Sequence, residues 1–442
     1  MKIAVIGAGY VGLVTAACFS EFGFDVVCVD HDARKIAALE AGKIPIHEPG
    51  LEHIVAHNQQ AGRFSFTADL EPAVAQADVI FIAVGTPSRR GEDAADLSYV
   101  FAAGEQIARA MKGFTVVVTK STAPVGTAGK LRSLIARVRP DGDFEVASNP
   151  EFLREGSAVE DFLRPDRIVI GVHSPRAEAP LRQLYRPLTM KDVPLIFTSC
   201  AAAELIKYAA NAYHATRISF VNQLADLCER VDADIQHVTR GMGLDRRIGQ
   251  HYLAPGPGFG GSCFPKDTRA LAVTAREHGT PFTLAEEVTA ANERRKHELV
   301  KRVATAMGGN LKGKHVGILG IAFKAETDDI RDAAALVLIP ALEAQGATVA
   351  AYDPAAMDNG RALFGDVRWC ADAYSACAGA DAVVILTEWN AFRGLDLGQL
   401  ARSMRHPLMI DFRNLFLRED IEGAGLVYHS LGRPVLPQLD ES

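Results

Sequence analysis

The sequence predicts an α/β protein with two Rossmann-like, doubly wound parallel-sheet domains joined by a central helical region that contains a long helix. Three observations predict it. Short Val- and Ile-rich runs alternate with helix-like segments across the first two hundred residues, and the pattern restarts after Gly313. Between them, from about Ser199 to Arg302, the chain is dense in Ala, Leu, Glu and Arg at helical spacing. A weak echo, Ala77-Asp78-Val79-Ile80-Phe81-Ile82 against Ala380-Asp381-Ala382-Val383-Val384-Ile385, gives the two strand-bearing parts a related design.

In the first part, strands are expected at Lys2 to Ile6, Val26 to Asp30, Val79 to Val84, Thr115 to Thr119 and Arg167 to Val172. All are apolar on both faces, as parallel strands are. A helix is expected from Ala201, and a Gly/Pro-rich loop near 254 to 265 interrupts the helical centre. Strands resume at His315 to Leu319, Thr348 to Asp353, Ala382 to Leu386 and Leu408 to Phe412. The expected division is 1–198 for a cofactor-binding domain, 199–302 for the helical centre and 303–442 for a second Rossmann-like domain. Two such domains facing each other leave a cleft for a ligand larger than one cofactor.

A chain of 442 residues exceeds one ordinary core. Forty-seven basic and fifty-four acidic residues give a net charge of −7 spread along the chain, without the basic stripe that nucleic acid requires. Seven cysteines form no C-x-x-C pair, which fits thiols in a reducing compartment. The apolar start imitates a secretion signal, but Gly7, Gly9 and Gly12 interrupt it at a spacing with another explanation. No apolar run approaches the ~18 to 20 residues of a membrane helix. A cytoplasmic protein with neither a nucleic-acid nor a membrane partner is expected.

Gly7-Ala8-Gly9-Tyr10-Val11-Gly12 follows the first strand and opens a helix. The glycines supply a tight turn, close approach to a pyrophosphate and close helix packing, while the helix N-terminus faces the phosphate charge. Asp30, eighteen positions after Gly12, is placed to accept from the adenosine ribose hydroxyls and to repel a 2′-phosphate, so NAD is expected rather than NADP. The glycine pattern alone also occurs in flexible turns, and the strand, helix and acidic residue around it give it meaning. Thr86-Pro87 and Ser121-Thr122 stand at carboxyl ends of strands, where open α/β sheets bind ligands, and are equally compatible with turn and cap residues.

Oxidising an alcohol needs a base for the hydroxyl proton and donors for the developing oxyanion. Lys207 and Asn211 project one turn apart on the helix from Ala201, so that both can grip one oxygen; from spacing alone a solvated helix face is the commoner explanation. The segment Gly258-Phe259-Gly260-Gly261-Ser262-Cys263-Phe264-Pro265-Lys266-Asp267 is more specific. Its glycines allow close backbone approach to a substrate, Lys266 favours a thiolate, and Asp267 stands four positions beyond the sulfur. A free cysteine is usually a buried apolar residue, but this one sits in a polar loop. No second Cys or His stands at metal-ligand spacing, so no metal is expected and nucleophilic catalysis is.

With these segments go Asn149-Pro150-Glu151-Phe152-Leu153-Arg154-Glu155-Gly156, Arg247-Ile248-Gly249 and Phe323-Lys324, and together, in this order, they make the chain resemble the UDP-glucose/GDP-mannose dehydrogenase family over nearly its whole length. The resemblance implies oxidation of the C6 alcohol of a nucleotide sugar to a carboxylate with two NAD⁺. It assigns Cys263 to attack on the aldehyde, giving a thiohemiacetal and then a thioester. Lys207 and Asn211 go to the C6 oxygen, and Asp267, with Glu155 and Thr122, to proton transfer and water. Glu151 neighbours the reacting centre; alternatively Glu151 and Glu155 are ordinary first-turn helix acids. Implied cofactor contacts include Tyr10, Val11, Lys35, Thr86, Pro87, Ser121, Thr122, Glu155, Lys266 and Arg331. Implied sugar-nucleotide contacts include Phe152, Leu153, Tyr252, Phe259, Gly260, Phe323 and Lys324.

The resemblance further implies a homodimer built on the long helix, with Arg247 reaching into the neighbouring subunit's sugar site; read alone, Arg247 is a surface ion pair. Ser262, Phe264, Lys266 and the phrase from Gly256 to Phe259 look like the branch that uses UDP-glucose, ahead of GDP-mannose or a UDP-N-acetylhexosamine. Ala325-Glu326 departs from the family's usual pattern after Lys324. Two further readings remain: a two-electron 3-hydroxy-acid dehydrogenase, which has no need of Cys263, and a non-catalytic nucleotide-sugar binding protein. The charged stretch from Ser88 to Asp96 is expected to be a mobile loop.

Overall fold

Val and Ile restrict χ1 and pack well on pleated surfaces, and the β-branched runs of this chain form strands accordingly. A computed structural model describes residues 1–87 and 94–434. The first sheet contains β1 (Lys2–Ile6), β2 (Asp25–Val29), β3 (Phe64–Thr67), β4 (Val79–Ile82), β5 (Thr115–Thr119), β6 (Phe144–Ser148), β7 (Ile168–Val172) and β8 (Leu195–Thr198). Their order is β3-β2-β1-β4-β5-β6-β7-β8. The second sheet contains β9 (His315–Leu319), β10 (Thr348–Tyr352), β11 (Arg368–Trp369), β12 (Ala382–Ile385), β13 (Leu408–Asp411) and β14 (Val427–Ser430), in the order β11-β10-β9-β12-β13-β14. Both place the fourth strand beside the first, as doubly wound nucleotide-binding sheets do. The two-sheet α/β fold is as expected.

One strand departs from the expected direction. β7 pairs antiparallel with β6, through Ala147 with Val172 and Ser148 with Gly171. A parallel return needs a crossover that traverses the sheet, whereas the helix between these strands, Ala158–Leu163, has six residues, about 9 Å of rise. Strands β3, β6, β8, β11 and β14 were not expected, because each is short or mixes polar residues into its apolar ones.

The internal echo falls on β4 and β12, which hold equivalent places in the two sheets. The Asp78 carboxylate accepts from Lys2 N at 2.8 Å, and the Asp381 carboxylate accepts from His315 N at 2.7 Å. Each aspartate thus caps the N-terminal end of the neighbouring first strand, a physical reason for the repeated Ala-Asp.

The chain divides into two compact units, Met1–Ala210 with Val273–Thr280, and Asn211–Ala272 with Pro281–Ser442. In the first, alternate residues of one strand enter different cores: Ile3, Val5, Phe81 and Val118 join one cluster, while Ala4, Ile6, Ile82 and Val117 join another. In the second, Ile318 and Val384 join one cluster while Leu319 and Val383 join another. Each fully buried Val, Ile or Phe contributes about 1.5–3 kcal/mol of transfer free energy. The helix Cys200–Cys228, 29 residues long, is the long helix expected in the centre. Among the described residues no helix is long and apolar enough to cross a membrane. Of the stretch expected to be a mobile loop, Ser88 to Asp93 lie outside the described residues; Asp96 N donates to Pro87 O at 2.7 Å.

Candidate active site

In the first unit, Gly7 has φ +106°, and a Cβ there would stand 2.6 Å from Ala83 O. At Gly12 a Cβ would stand 1.8 Å from Gly7 O, so the helix Tyr10–Glu21 can pack on the turn only without a side chain. Gly9 is different: a Cβ there meets nothing within 4 Å, leaving open space at the N-terminus of a twelve-residue helix. Such a terminus suits a pyrophosphate.

Asp30 follows β2 and is buried; its Oδ2 accepts from Ala8 N and Lys35 Nζ, both at 2.9 Å, and its Oδ1 from Asp32 N at 3.1 Å. Burial works to raise its pKa, but the hydrogen bonds from Lys35, Asp32 and Ala8 outweigh it and hold the carboxyl below the ordinary range. An ionised Asp30 here fits the ribose of NAD and opposes a 2′-phosphate. Lys35 is a partner of Asp30 in this arrangement. Asp30→Ala is expected to raise the KM for NAD roughly tenfold, about one lost hydrogen bond, and to leave the sugar KM within about twofold. Steady-state kinetics with each substrate varied would sink this assignment if the KM for NAD stayed constant.

The second sheet carries a superficially similar turn that is closed. Gly320 has φ +86°, and Asp353 follows β10 as Asp30 follows β2. Asp353 accepts from Ile321 N at 2.7 Å, Ala322 N at 3.0 Å, Ala355 N and Ala356 N at 2.9 Å and Trp389 Nε1 at 3.3 Å. Five donors saturate its two oxygens, leaving none for a ribose.

Tyr10 directs its hydroxyl to the buried Glu48 and accepts from Gly156 N at 2.5 Å, while Glu48 also accepts from Gly156 N at 2.8 Å and Val159 N at 3.2 Å. The ring therefore ties the cofactor turn to the loop after Glu155. Sequence reasoning missed Glu48, whose signal was only a lone acid in the Gly/Pro-rich stretch 42–50. Thr86 donates to Thr122 O at 2.9 Å, and Ser121 to Val84 O at 2.6 Å. Both side chains lace the ends of β4 and β5 together, the turn role left open for them.

Glu151 and Lys207 form a buried pair at 2.9 Å, with side chains 4% and 3% exposed. Glu151 also accepts from Leu153 N at 2.5 Å, and Lys207 Nζ lies 5.6 Å from the Phe152 ring centroid. No helix starts at Glu151 or Glu155, so the first-turn-acid explanation fails: residues 149–154 are extended loop, and the next helix is Ala158–Leu163. Nor is the face carrying Lys207 and Asn211 solvated, since they are 3% and 6% exposed.

In the second unit, Asn211 Nδ2 donates to Asp267 Oδ2 at 2.7 Å and Lys266 Nζ to Asp267 Oδ1 at 2.5 Å. Asp267 is fully buried. Cys263 immediately precedes the helix Phe264–Glu277, and its carbonyl accepts from Asp267 N at 2.9 Å. Cys263 Sγ lies 3.3 Å from Ser262 Oγ, and the neighbouring Lys266 ammonium is held by Asp267. Of the seven cysteines Cys263 alone is partly exposed. Burial pushes the thiols of Cys28 and Cys377 up to about 12.

Packing alone requires three glycines of this loop. A Cβ at Gly258 would stand 2.7 Å from Asn292 Oδ1, one at Gly260 2.7 Å from Asp332 O, and one at Gly261 2.7 Å from the Phe323 ring. Asn292 grips Phe259 from both sides, accepting from its N at 2.8 Å and donating to its O at 2.9 Å. Gly261 N donates to Arg331 O at 2.7 Å, while the Arg331 side chain pairs with Asp329 at 2.8 Å. Within this unit a small cleft is lined by Gly258, Gly260, Phe323 and Arg413. Arg413, absent from the expected site, donates to Phe323 O. Lys324 Nζ lies 5.9 Å from the Phe323 ring centroid. Tyr252, with φ +58°, stacks on His214 at 4.2 Å. The Arg247 side chain, 90% exposed, pairs with Asp245 at 2.6 Å.

Residues 1–189 match the NAD binding domain of the UDP-glucose/GDP-mannose dehydrogenase family, residues 201–294 its central domain and residues 317–418 its UDP binding domain. The chain is 53% identical to the UDP-glucose 6-dehydrogenase of Rhizobium meliloti over 436 residues, 98% of this chain and 100% of that one. Among solved structures, a UDP-glucose dehydrogenase from Pyrobaculum islandicum superposes with a TM-score of 0.89 at 39% identity, covering 95% of each chain. A UDP-D-ManNAc dehydrogenase from Pyrococcus horikoshii gives 0.85 at 27% identity, covering 98% of this chain and 99% of that one. With its NAD turn, its buried Lys207 and its loop cysteine in place, this chain belongs to the UDP-glucose/GDP-mannose dehydrogenase family.

Proposed function

We propose that this chain oxidises the C6 alcohol of UDP-glucose to the carboxylate, forming UDP-glucuronate. The observation that carries the reading is Cys263, the one partly exposed thiol, at the start of a helix whose first turn holds Asp267. NAD, when bound, supplies the hydride acceptor for both two-electron steps. One helix carries Lys207 and Asn211 a turn apart, each held by a carboxylate, Glu151 or Asp267. These side chains orient the C6 oxygen, and the Glu151–Lys207 pair takes its proton as the first hydride leaves. Cys263 Sγ then adds to the aldehyde carbon, a C–S bond forming while the carbonyl oxygen gains a proton. Loss of a second hydride, with the hydroxyl proton passing to the Glu151–Lys207 pair, leaves a thioester. Asp267 positions a water whose attack breaks the C–S bond, releasing carboxylic acid and thiol. Holding the aldehyde covalently prevents its escape between the two steps.

In this reading residues 1–198 bind NAD and contribute Glu151, 199–302 supply Lys207, Asn211, Cys263 and Asp267, and 303–442, with the cleft at Phe323 and Arg413, receive the uridine diphosphate. The other residues named from the family resemblance keep their implied contacts. The exposed Tyr213, Phe220 and Leu227, seven apart on the long helix, support a homodimer along that face. The free thiols support a cytoplasmic location. A panel of UDP-glucose, GDP-mannose and UDP-N-acetylhexosamines with NAD tests the reading. Two NADH per UDP-glucose are expected; strong preference for another sugar nucleotide, or one NADH per sugar, would overturn it.

A further inference from the structure

Lys120, the residue after β5, turns into the protein and is 4% exposed. Its Nζ donates to Asn149 Oδ1 at 3.0 Å and to the Tyr185 hydroxyl at 3.4 Å. It also lies 5.7 Å from the Phe162 ring centroid and 5.9 Å from that of Tyr185. The Tyr185 hydroxyl donates to the same Asn149 oxygen, and Asn149 Nδ2 donates to Val169 O at 2.8 Å. Among the described residues, every one of these contacts of the amine is to a neutral group. A buried ammonium held only by neutral groups is costly, and that cost rises or falls with the charges nearby.

Those charges are Glu151 and Lys207. Burial lowers the Lys120 pKa most, Glu151 raises it and Lys207 lowers it further, to about 8. Coupling of this kind is mutual: charges that act on Lys120 feel its charge equally. Asn149 stands two residues before Glu151, so the hydrogen bonds of Lys120 also fix the start of the turn that presents Glu151 to Lys207.

We propose that Lys120 is a positioning residue for the oxidation: its ammonium anchors Asn149, and with it the Glu151 turn, and its positive charge weakens the hold of the Glu151–Lys207 pair on a proton. The proposal rests on the role given above to that pair. The ionisable groups facing this pocket are Glu151, Lys207, Tyr185 and Arg167, whose guanidinium lies 3.7 Å from the Phe152 ring centroid. Arg167 stays charged throughout the working pH range, so it adds no titration of its own to the profile.

The test compares kcat against pH, from about pH 6 to pH 10, for wild type, Lys120→Met, Lys120→Gln and Lys120→Arg. Removing a positive charge beside a carboxylate and an ammonium makes both keep their protons to higher pH, so the acidic limb of the two neutral variants is expected about one pH unit higher. Their kcat near neutrality should fall roughly tenfold, with the KM for NAD within about twofold. Lys120→Arg should keep the limb at its wild-type position. Gln retains a donor to Asn149 without the charge and serves if the Met variant does not fold. A limb that stays in place in the neutral variants, whatever the loss of kcat, overturns the proposal and leaves the function intact. No NADH from wild type with UDP-glucose overturns both.

Discussion

Cys263→Ala is expected to yield no carboxylate and at most one NADH per UDP-glucose. Removing a nucleophile costs roughly 10³-fold or more in the step it serves, because no neighbouring group takes its place. Here the substitution cannot be bypassed by another thiol. Cys18, Cys28, Cys200, Cys228, Cys370 and Cys377 are all buried, and burial raises every one of their pKa values. The first oxidation needs Lys207 and Asn211 but no sulfur, so the alcohol can still reach the aldehyde. Mass spectrometry of the product alongside NADH absorbance separates the two steps. Two NADH and normal acid from the Ala variant would remove the covalent mechanism.

Lys207→Met is expected to lose both activity and stability, and the two losses should separate. The Lys207–Glu151 pair is 2.9 Å long and nearly inaccessible to solvent. Deleting one member of such a pair strands the other's charge, at a cost of about 3–5 kcal/mol. Removing a proton-transfer group costs kcat roughly 10²–10⁴-fold. In the double variant Lys207→Met with Glu151→Gln the stranded charge is gone. Most of the stability should return while the activity does not. Denaturant unfolding and single-turnover NADH formation measure the two quantities. Full stability in the single variant would mean that water or another cation reaches Glu151, contrary to the burial seen here.

What could be read from the chain was whatever short-range chemistry writes into contiguous residues. The turn Gly7 to Gly12 needs three small residues because Ala83 and Gly7 itself crowd two of them, and that need is visible as spacing. The paired echo was visible because one hydrogen bond recurs at equivalent strands, from Lys2 to Asp78 and from His315 to Asp381. Lys207 and Asn211 were visible as helical neighbours, but their burial was not, since spacing is the same on a wet face and a dry one. The loop of Cys263 stood out by its glycines, yet the neighbours that crowd them were not legible. The glycines make room for Asn292, Asp332 and Phe323, residues distant in sequence that only the folded chain brings against them.

The sequence by itself determined the fold class, the two sheets, the cofactor turn with Asp30 and the glycine-rich loop that carries Cys263, because periodicity, glycine geometry and local charge act over a few residues. Only the tertiary structure decided which side chains are paired. Glu151 found Lys207, Asp267 found Asn211, Tyr10 found Glu48 and Lys120 found Asn149 and Tyr185. It also reversed β7 and closed Asp353 to any ligand. The physical reason is common to all of these. A buried polar group must find a partner when water is excluded, and the partner is whatever the packing of the sheets places beside it, at a separation along the chain that no local pattern records.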